Sequence, residues 1–269
     1  MRNGEIVLAA DIHGAFDDLA RGLHPDDTLI IAGDTLTFMD FEDFSKAILS
    51  AAFSVEELAE GIKEMAAGNV DRIRDAFREI TTPGEEKYQR MLPRITAEYE
   101  ALAKVLPQES YLIYGNDDYP ALMKRILDGA GSIVESGVVT LGDRKIGMVS
   151  GLPSGPSTIG FPGELEGEEY DRRIESLGPV DVIVTHVPPE DDELTYDVIP
   201  KRHEQSSGAL LEYIHTHKPS YAFFGHVHNP KTRKKRIGDT EAINLGFFKK
   251  RKTVTRLNLE TMSIREVEI

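Results

Sequence analysis

Short runs of apolar residues, most of them stopped by glycine or by a residue with metal-ligating chemistry, constrain this chain more than any other feature. They are Ile6–Ala10, Leu29–Ala32, Tyr111–Tyr114, Ile146–Ser150, Val182–Thr185 and Tyr221–Phe224. A run that is apolar without alternation offers no face to water, so each reads as a strand buried on both sides. Helical spacing lies between several of them. Phe16–Leu23 puts Phe16, Leu19, Ala20 and Leu23 on one face, and Gly208–His217 groups Leu210, Leu211 and Ile214. Strands alternating with helices predict a layered α/β architecture.

Residues 38–106 follow another rule. No strand-like run occurs there, and helical spacing fills Phe41–Ala52, Val55–Ala66, Val70–Ile80 and Glu85–Leu106. Thr82-Pro83-Gly84 marks a break, and Pro93 is expected to kink or restart the last segment. The expectation is one domain over residues 1–269 with a helical insertion at about 38–106, serving as a cap or a partner surface. Beyond it, Val138–Leu141, a turn at Gly142-Asp143 and Lys145–Val149 read as a hairpin. Ala242–Leu245 and Thr253–Leu259 read as another strand pair.

Composition narrows the chemistry. A chain of 269 residues can bury a sizeable core, and the absence of cysteine excludes disulfides, thiolate metal sites and thiol nucleophiles. The first apolar run is too short for a signal-peptide core or a membrane span, so a cytoplasmic protein without membrane association is expected. A formal net charge of −15 argues against broad binding of nucleic acid, which needs clustered cations. One segment runs the other way. Lys231, Arg233, Lys234, Lys235, Arg236, Lys249, Lys250, Arg251 and Lys252 are opposed locally only by Asp239 and Glu241. Such a patch either attracts an anionic substrate or is simply a solvated hairpin face.

The polar residues at the run ends carry the chemistry. Asp11, Asp34, Asn116, His186 and His226 each follow an apolar run, where open α/β sheets gather their ligands. His13 and His228 sit two residues beyond Asp11 and His226, a spacing that turns both side chains the same way in extended chain. Gly33, Gly115 and Gly225 precede three of these residues and let the chain turn sharply. Singly, a strand-end Asp is a cap or turn former and a strand-end His a structural residue. Together the seven point to a centre for two divalent cations. Nitrogen and oxygen donors without thiolate suit Mn²⁺, Fe, Zn²⁺ or Ni²⁺, and the several histidines disfavour Mg²⁺ alone.

Asp11-Ile12-His13, Gly33-Asp34, Gly115-Asn116-Asp117-Asp118, Thr185-His186 and Gly225-His226-Val227-His228, in this order, resemble the motifs of the calcineurin-like metallophosphoesterase family. The likeness runs from about residue 5 to residue 260. It implies a four-layer α/β/β/α sandwich of two mixed sheets flanked by helices. It also implies that Asp11, His13 and His228 bind one metal, that Asn116, His186 and His226 bind the other, and that Asp34 bridges them. Two cations ~3.5–4 Å apart clamp phosphoryl oxygens and acidify a bridging water, whose hydroxide attacks phosphorus in line. Asn116 and the metals offset the charge of the transition state.

The departures matter as much. Many members carry a His after Gly-Asn that serves the leaving group; here the residue is Asp117. A carboxylate of ordinary pKa, about 4, is ionised at neutral pH and cannot donate a proton. The expected preference is therefore for diesters or phosphoanhydrides over monoesters, with a small phosphoester or nucleotide as substrate. Asp118 matches an acidic residue of the family pattern and, standing before Tyr119-Pro120, is expected to cap a helix over Tyr119–Leu127. Gly33-Asp34 is followed by Thr35-Leu36-Thr37, unlike the Ser/Thr protein phosphatase branch. His203, or Arg202 beside it, lies in the loop after His186 and is a candidate to replace the missing His. The loop Pro153-Ser154-Gly155-Pro156-Ser157-Thr158 is a candidate pocket wall, while His24, His215 and His217 read as peripheral. Two other functions compete: a non-catalytic metal-binding scaffold using the insertion as its partner surface, and a nuclease guided by the basic 231–252 segment.

Overall fold

A computed structural model of the chain describes Arg2 and residues 4–40, 42–67, 69–155 and 158–269. Phe41, Pro156 and Ser157, named above, lie outside the described residues. Two six-stranded mixed sheets face each other. With strands numbered in chain order, the first runs β16 (Ser263–Glu268), β15 (Thr253–Asn258), β1 (Glu5–Ala9), β2 (Thr28–Ala32), β3 (Glu109–Ile113) and β4 (Ser132–Ile133). The second runs β13 (Lys234–Ile237), β14 (Thr240–Asn244), β12 (Tyr221–Phe224), β9 (Val182–Thr185), β6 (Arg144–Val149) and β5 (Ser136–Leu141). Strands β1 to β4 are mutually parallel, as are β6, β9, β12 and β14, and antiparallel strands close every margin but the one at β4. Two minor pairs, β7 (Leu152–Pro153) with β8 (Glu164–Leu165) and β10 (Tyr196–Asp197) with β11 (Arg202–His203), decorate the loops.

Successive residues of a strand point to opposite faces, so each central strand feeds two cores. Ile6, Leu8 and Ala10 point between the sheets, where they meet Met148, Val184, Phe223 and Ile243. Val7 and Ala9 point outward into a core shared with Leu19, Tyr99, Leu102 and Leu122. Those last four belong to α1 (Phe16–Arg21), α4 (Glu86–Val105) and α5 (Pro120–Ile126). On the far side Ile183, Ala222 and Phe224 pack against α6 (Gly167–Glu175) and α8 (Gly208–His217). Helix, sheet, sheet, helix is the layering, and burial of both sheet faces explains why these strands read as unbroken apolar runs.

Between β2 and β3 the chain is helical: α2 (Val55–Ala66), α3 (Val70–Thr81) and α4. One expectation there is corrected, and of the two outcomes expected at Pro93 the restart does not occur. The segment around residues 44–51 forms two short 3₁₀ turns, Phe44–Lys46 and Ile48–Ala51, since the Ile48 and Leu49 N–H groups bond back to Thr37 and Phe38. Helix α4 passes through Pro93 without a break, because the buried stripe Tyr88, Met91, Ile95, Tyr99 and Leu102 holds both halves on the same core. The carbonyl left without its partner belongs to Gln89, an exposed residue that water can serve.

A second correction concerns the end of the chain. β14 and β15 are not partners: β14 lies between β12 and β13, and β15 between β1 and β16. The residues between them, including α9 (Phe248–Arg251), cross from one sheet to the other along the edge where β1 ends. That crossing is tied down by the Phe248 and Lys249 N–H groups, which bond the Ala10 and Asp11 carbonyls at 3.3 Å each. No helix among the described residues is long and apolar enough to cross a membrane.

Candidate metal centre

The ends of β1, β2, β9 and β12, with the loop after β3, converge at one edge of the paired sheets. Two groups of ligand types form there, Asp11 with His13 and His228, and Asp34 with His186 and His226. Within each, the ligand atoms lie inside 4.8 Å of one another. Asp34 Oδ2 joins the groups: it stands 3.3 Å from His186 Nε2 and 3.9 Å from His13 Nε2. His228 Nε2 lies 3.3 Å from His13 Nε2 and 3.7 Å from Asp11 Oδ1. Asn116 Oδ1 faces His186 Nε2 at 3.1 Å.

The convergence of Asp11 and His13 has a different cause from the extended spacing expected. Both have positive φ, 54° and 42°, and so do Asp34 and His226, at 53° and 66°. A left-handed non-glycine residue costs about 1–2 kcal/mol, and such strain persists only where the surroundings over-determine it. Here the Asp11, His13 and Gly14 N–H groups bond the carbonyls of Gly33, Asp34 and Thr35 at 3.1, 3.1 and 2.9 Å, lacing the two ligand loops together. Gly33 has the positive φ expected of a turn glycine, 89°. Gly115 serves close approach instead, since a Cβ there would stand 2.2 Å from Asp34 Oδ1.

Backbone carbonyls set the histidine tautomers. Leu36 O lies 2.9 Å from His13 Nδ1, and Ala32 O lies 2.9 Å from His186 Nδ1. A carbonyl only accepts, so each Nδ1 holds its proton and each Nε2 is the nitrogen turned to the centre. Burial drives His13 down to about 4 and His226 down to about 3, with neighbouring imidazoles adding to the effect. At His186 burial opposes the charge, yet the adjacent Asp34 carboxylate lifts it to about 10. Burial likewise opposes ionisation of Asp34, but His186 and His13 hold its carboxyl below the ordinary range. His226 Nε2 is buried with no hydrogen-bond partner. Neutral imidazoles at His13 and His226, an ionised carboxylate beside them and an orphaned nitrogen are a donor set that fits divalent cations, and a cation at His186 would take the place of the second proton that Asp34 holds there.

Asp117 enters the same space, and His13, Asp34 and Asp117 form a third group of ligand types. Its N–H bonds Asp34 Oδ1 at 2.9 Å, and its Oδ1 accepts from Asn116 Nδ2 at 2.6 Å. The ordinary carboxylate assumed from sequence is corrected: burial, then Asp34 and Asp118, push the Asp117 carboxyl well above the usual range. Asp118 is corrected too. It does not cap α5, whose first residue is preceded by Tyr119 with no side-chain cap. Its buried carboxyl instead accepts the N–H groups of Asp34, Thr35 and Gly115 at 2.9, 3.1 and 3.0 Å, together with the Thr35 hydroxyl. It thereby fastens the Gly-Asp loop to the Gly-Asn loop.

His203 and Arg202 lie on β11, whose partner β10 is bonded through Asp197 to the Asn229 N–H, next to His228. His203 is exposed, with Nδ1 2.9 Å from Thr195 Oγ1 and its ring against Tyr196. Arg202 pairs with Glu204. Past the Pro153–Thr158 stretch, Gly163 N–H bonds Asn116 O at 3.3 Å. Sequence reading missed Phe247, half-buried, whose ring stacks on His228 with centroids 4.0 Å apart and an interplanar angle of 9°. The available signal was Gly246, which follows the end of β14 much as the other glycines follow their strands.

The basic segment is largely met by acids. Lys235 pairs with Asp191 and Glu193, Lys249 with Asp40, Lys250 with Glu42 and Lys252 with Asp18.

Solved structures of low identity align along almost the whole chain. One crystal structure aligns over 98% of both chains with 15% identity and a TM-score of 0.67. The crystal structure of TT1561 from Thermus thermophilus aligns over 98% of both chains with 14% identity and a TM-score of 0.56. An archaeal phosphodiesterase covers 98% of this chain and 99% of its own at 14% identity, with a TM-score of 0.43, too low to bear on the argument. No functionally curated protein matches the chain. The sequence pattern of calcineurin-like phosphoesterases, by contrast, matches residues 4–230, a span that holds every residue of the centre described above except Phe247. The chain belongs to the calcineurin-like phosphoesterase family.

Proposed function

We propose that this chain is a metal-dependent hydrolase of phosphodiester or phosphoanhydride bonds in small phosphoesters, nucleotides among them. The observation that carries the reading is the pair of buried ligand groups joined through Asp34 Oδ2, which lies within 4 Å of an imidazole nitrogen from each. In this reading Asp11, His13 and His228 hold one cation, Asn116, His186 and His226 hold the other, and Asp34 serves both. Two bound cations would supply Lewis acidity toward the phosphoryl oxygens and a nucleophile at neutral pH. The protein's part is placement. Leu36 O and Ala32 O fix the ring orientations, Asp118 fixes the backbone under Asp34 and Gly115, and Asn116 presents its amide to the reacting phosphoryl group.

Preference for diesters follows from the residue after Asn116. A carboxyl group, ionised or not, brings no cation to that position. A monoester dianion loses more by this than a diester monoanion, whose single charge the metals already meet. A polymer-guiding role for residues 231–252 is weakened by the ion pairs that Lys235, Lys249, Lys250 and Lys252 make.

The test is turnover of a matched aryl phosphodiester and monoester by the Mn²⁺-loaded protein, alongside Asp34→Asn. The expected outcome is faster diester hydrolysis, with loss of both bound metal and turnover in the variant. An Asp34→Asn protein with full metal content and full activity would refute the bridging role. A monoester turned over well while the diester is untouched would refute the preference.

A further inference from the structure

One part of the basic segment is not neutralised. Arg233, Lys234 and Arg251 share a single carboxylate, Glu266, at 3.1, 3.2 and 3.9 Å. Arg233 spends one nitrogen, Nη2, on Glu266 and on the Asn244 carbonyl, and its Nε is buried with no partner. Arg251 makes no side-chain hydrogen bond among the described residues. Both guanidinium groups crowd Gly246, where a Cβ would come within 2.9 Å of Arg251 Nε and 3.6 Å of Arg233 Nε. Two forks of fixed donors, largely uncommitted, thus lie side by side. Burial and the Arg233 charge depress the pKa of Arg251, as expected of unbalanced like charges.

The place of this cluster gives it meaning. Gly246 leads directly to Phe247, which stacks on His228. Arg251 N–H bonds Phe247 O at 3.0 Å, and Lys249 N–H bonds Asp11 O. Arg251 therefore sits on the short crossing that borders the metal centre, and Arg233, just before β13, reaches the same glycine of that crossing from beside it. An anion bound to the centre through one phosphoryl group and carrying a second would find the second set of donors on this side.

We propose that Arg233 and Arg251 form an anion subsite that receives a second phosphate of the substrate. The class of substrate is then a phosphodiester or anhydride bearing a further phosphate group, such as a phosphorylated or polyphosphorylated nucleotide. Glu266 holds the forks in place and competes with the ligand. The inference rests on the phosphoesterase reading for its link to catalysis, while the anion site itself can be tested without it.

The experiment uses the full chain with Mn²⁺ and two nitrophenyl nucleotide diesters that differ only by a free phosphate on the sugar. Wild type is expected to favour the phosphorylated ester in kcat/KM. In Arg251→Gln that ratio falls about tenfold, the size of one charge-assisted contact, and in Glu266→Gln it rises. A wild-type ratio at or below one, or a ratio unmoved by Arg251→Gln, overturns the subsite. If wild type cleaves neither ester, the phosphoesterase reading fails, and calorimetric binding of inorganic triphosphate decides the subsite separately. Binding weakened about tenfold in Arg251→Gln supports it; equal binding by the two proteins overturns it.

Discussion

Replacing Asp118 by alanine tests the claim that a buried carboxylate, and not a helix cap, holds the centre's two central loops together. The side chain is fully buried and accepts the N–H groups of Asp34, Thr35 and Gly115, plus the Thr35 hydroxyl. The hydroxyl can rotate to another acceptor, so it adds little. The three backbone donors cannot follow. Each buried N–H left without a partner costs about 1–3 kcal/mol, and water entering the vacated space recovers some of it. The expected loss is about 3–5 kcal/mol. For a chain of this length 1 kcal/mol moves Tm by about 2–4 °C, so a fall of roughly 10 °C should appear in a thermal scan.

The ordinary alternative makes a smaller prediction. A helix cap lost from the start of a short helix costs about 1 kcal/mol. Asp118→Asn separates the cases further, since its one remaining carbonyl oxygen serves some of the three donors while its NH₂ group opposes the rest. Its cost should fall between those of wild type and Asp118→Ala. Metal content should drop in the same order, because Asp34 and Gly115 are the residues whose backbone is released. A fall in Tm below about 3 °C for Asp118→Ala, or equal costs for the two variants, would refute the clamp.

Two further predictions concern residues beside the centre. Glu98 on α4 accepts the Thr37 N–H at 2.7 Å, and burial raises its carboxyl from 4.5 to about 7. A raised carboxyl binds its proton more tightly in the folded state, so stability declines as pH rises from 4.5 to about 7 and is level above. Glu98→Gln should therefore unfold like wild type near pH 4 and be more stable by about 3 kcal/mol at pH 8; urea titrations showing a constant difference across that range would contradict it. Phe247→Ala removes the ring stacked on His228 and should weaken Mn²⁺ affinity about tenfold, as loss of an orienting neighbour does, with Phe247→Leu intermediate. Calorimetry showing unchanged affinity would rule out that orienting role.

What the sequence disclosed and what it hid divide along a physical line. Strands covered on both faces write their burial into consecutive apolar letters, so β1, β2, β3, β6, β9 and β12 were all legible. Ligand chemistry is confined to a few residue types, so a run ending in Asp, Asn or His draws attention to itself. Pairing is a different matter. β14 and β15 are separated by a stretch short enough for a hairpin loop, and only the sheet to which each belongs shows that they are not partners.

The same limit governs the groups that orient the centre. The carbonyls of Ala32 and Leu36, which set the tautomers of His186 and His13, would be offered by any residue at those positions. The three N–H groups gathered by Asp118 come from two loops far apart in sequence and are equally anonymous. Asp11 and His13 show how a correct convergence can be reached from a mistaken premise. Period-two alternation predicted that they share a face, yet both are left-handed, and the bonds to Gly33, Asp34 and Thr35 impose that conformation. A ligand set announces itself by residue type, whereas its preorganisation resides in backbone groups that no residue type encodes. The substitutions most informative about this centre are therefore those at Asp118, Glu98 and Phe247, side chains through which that silent backbone and the histidine rings are held.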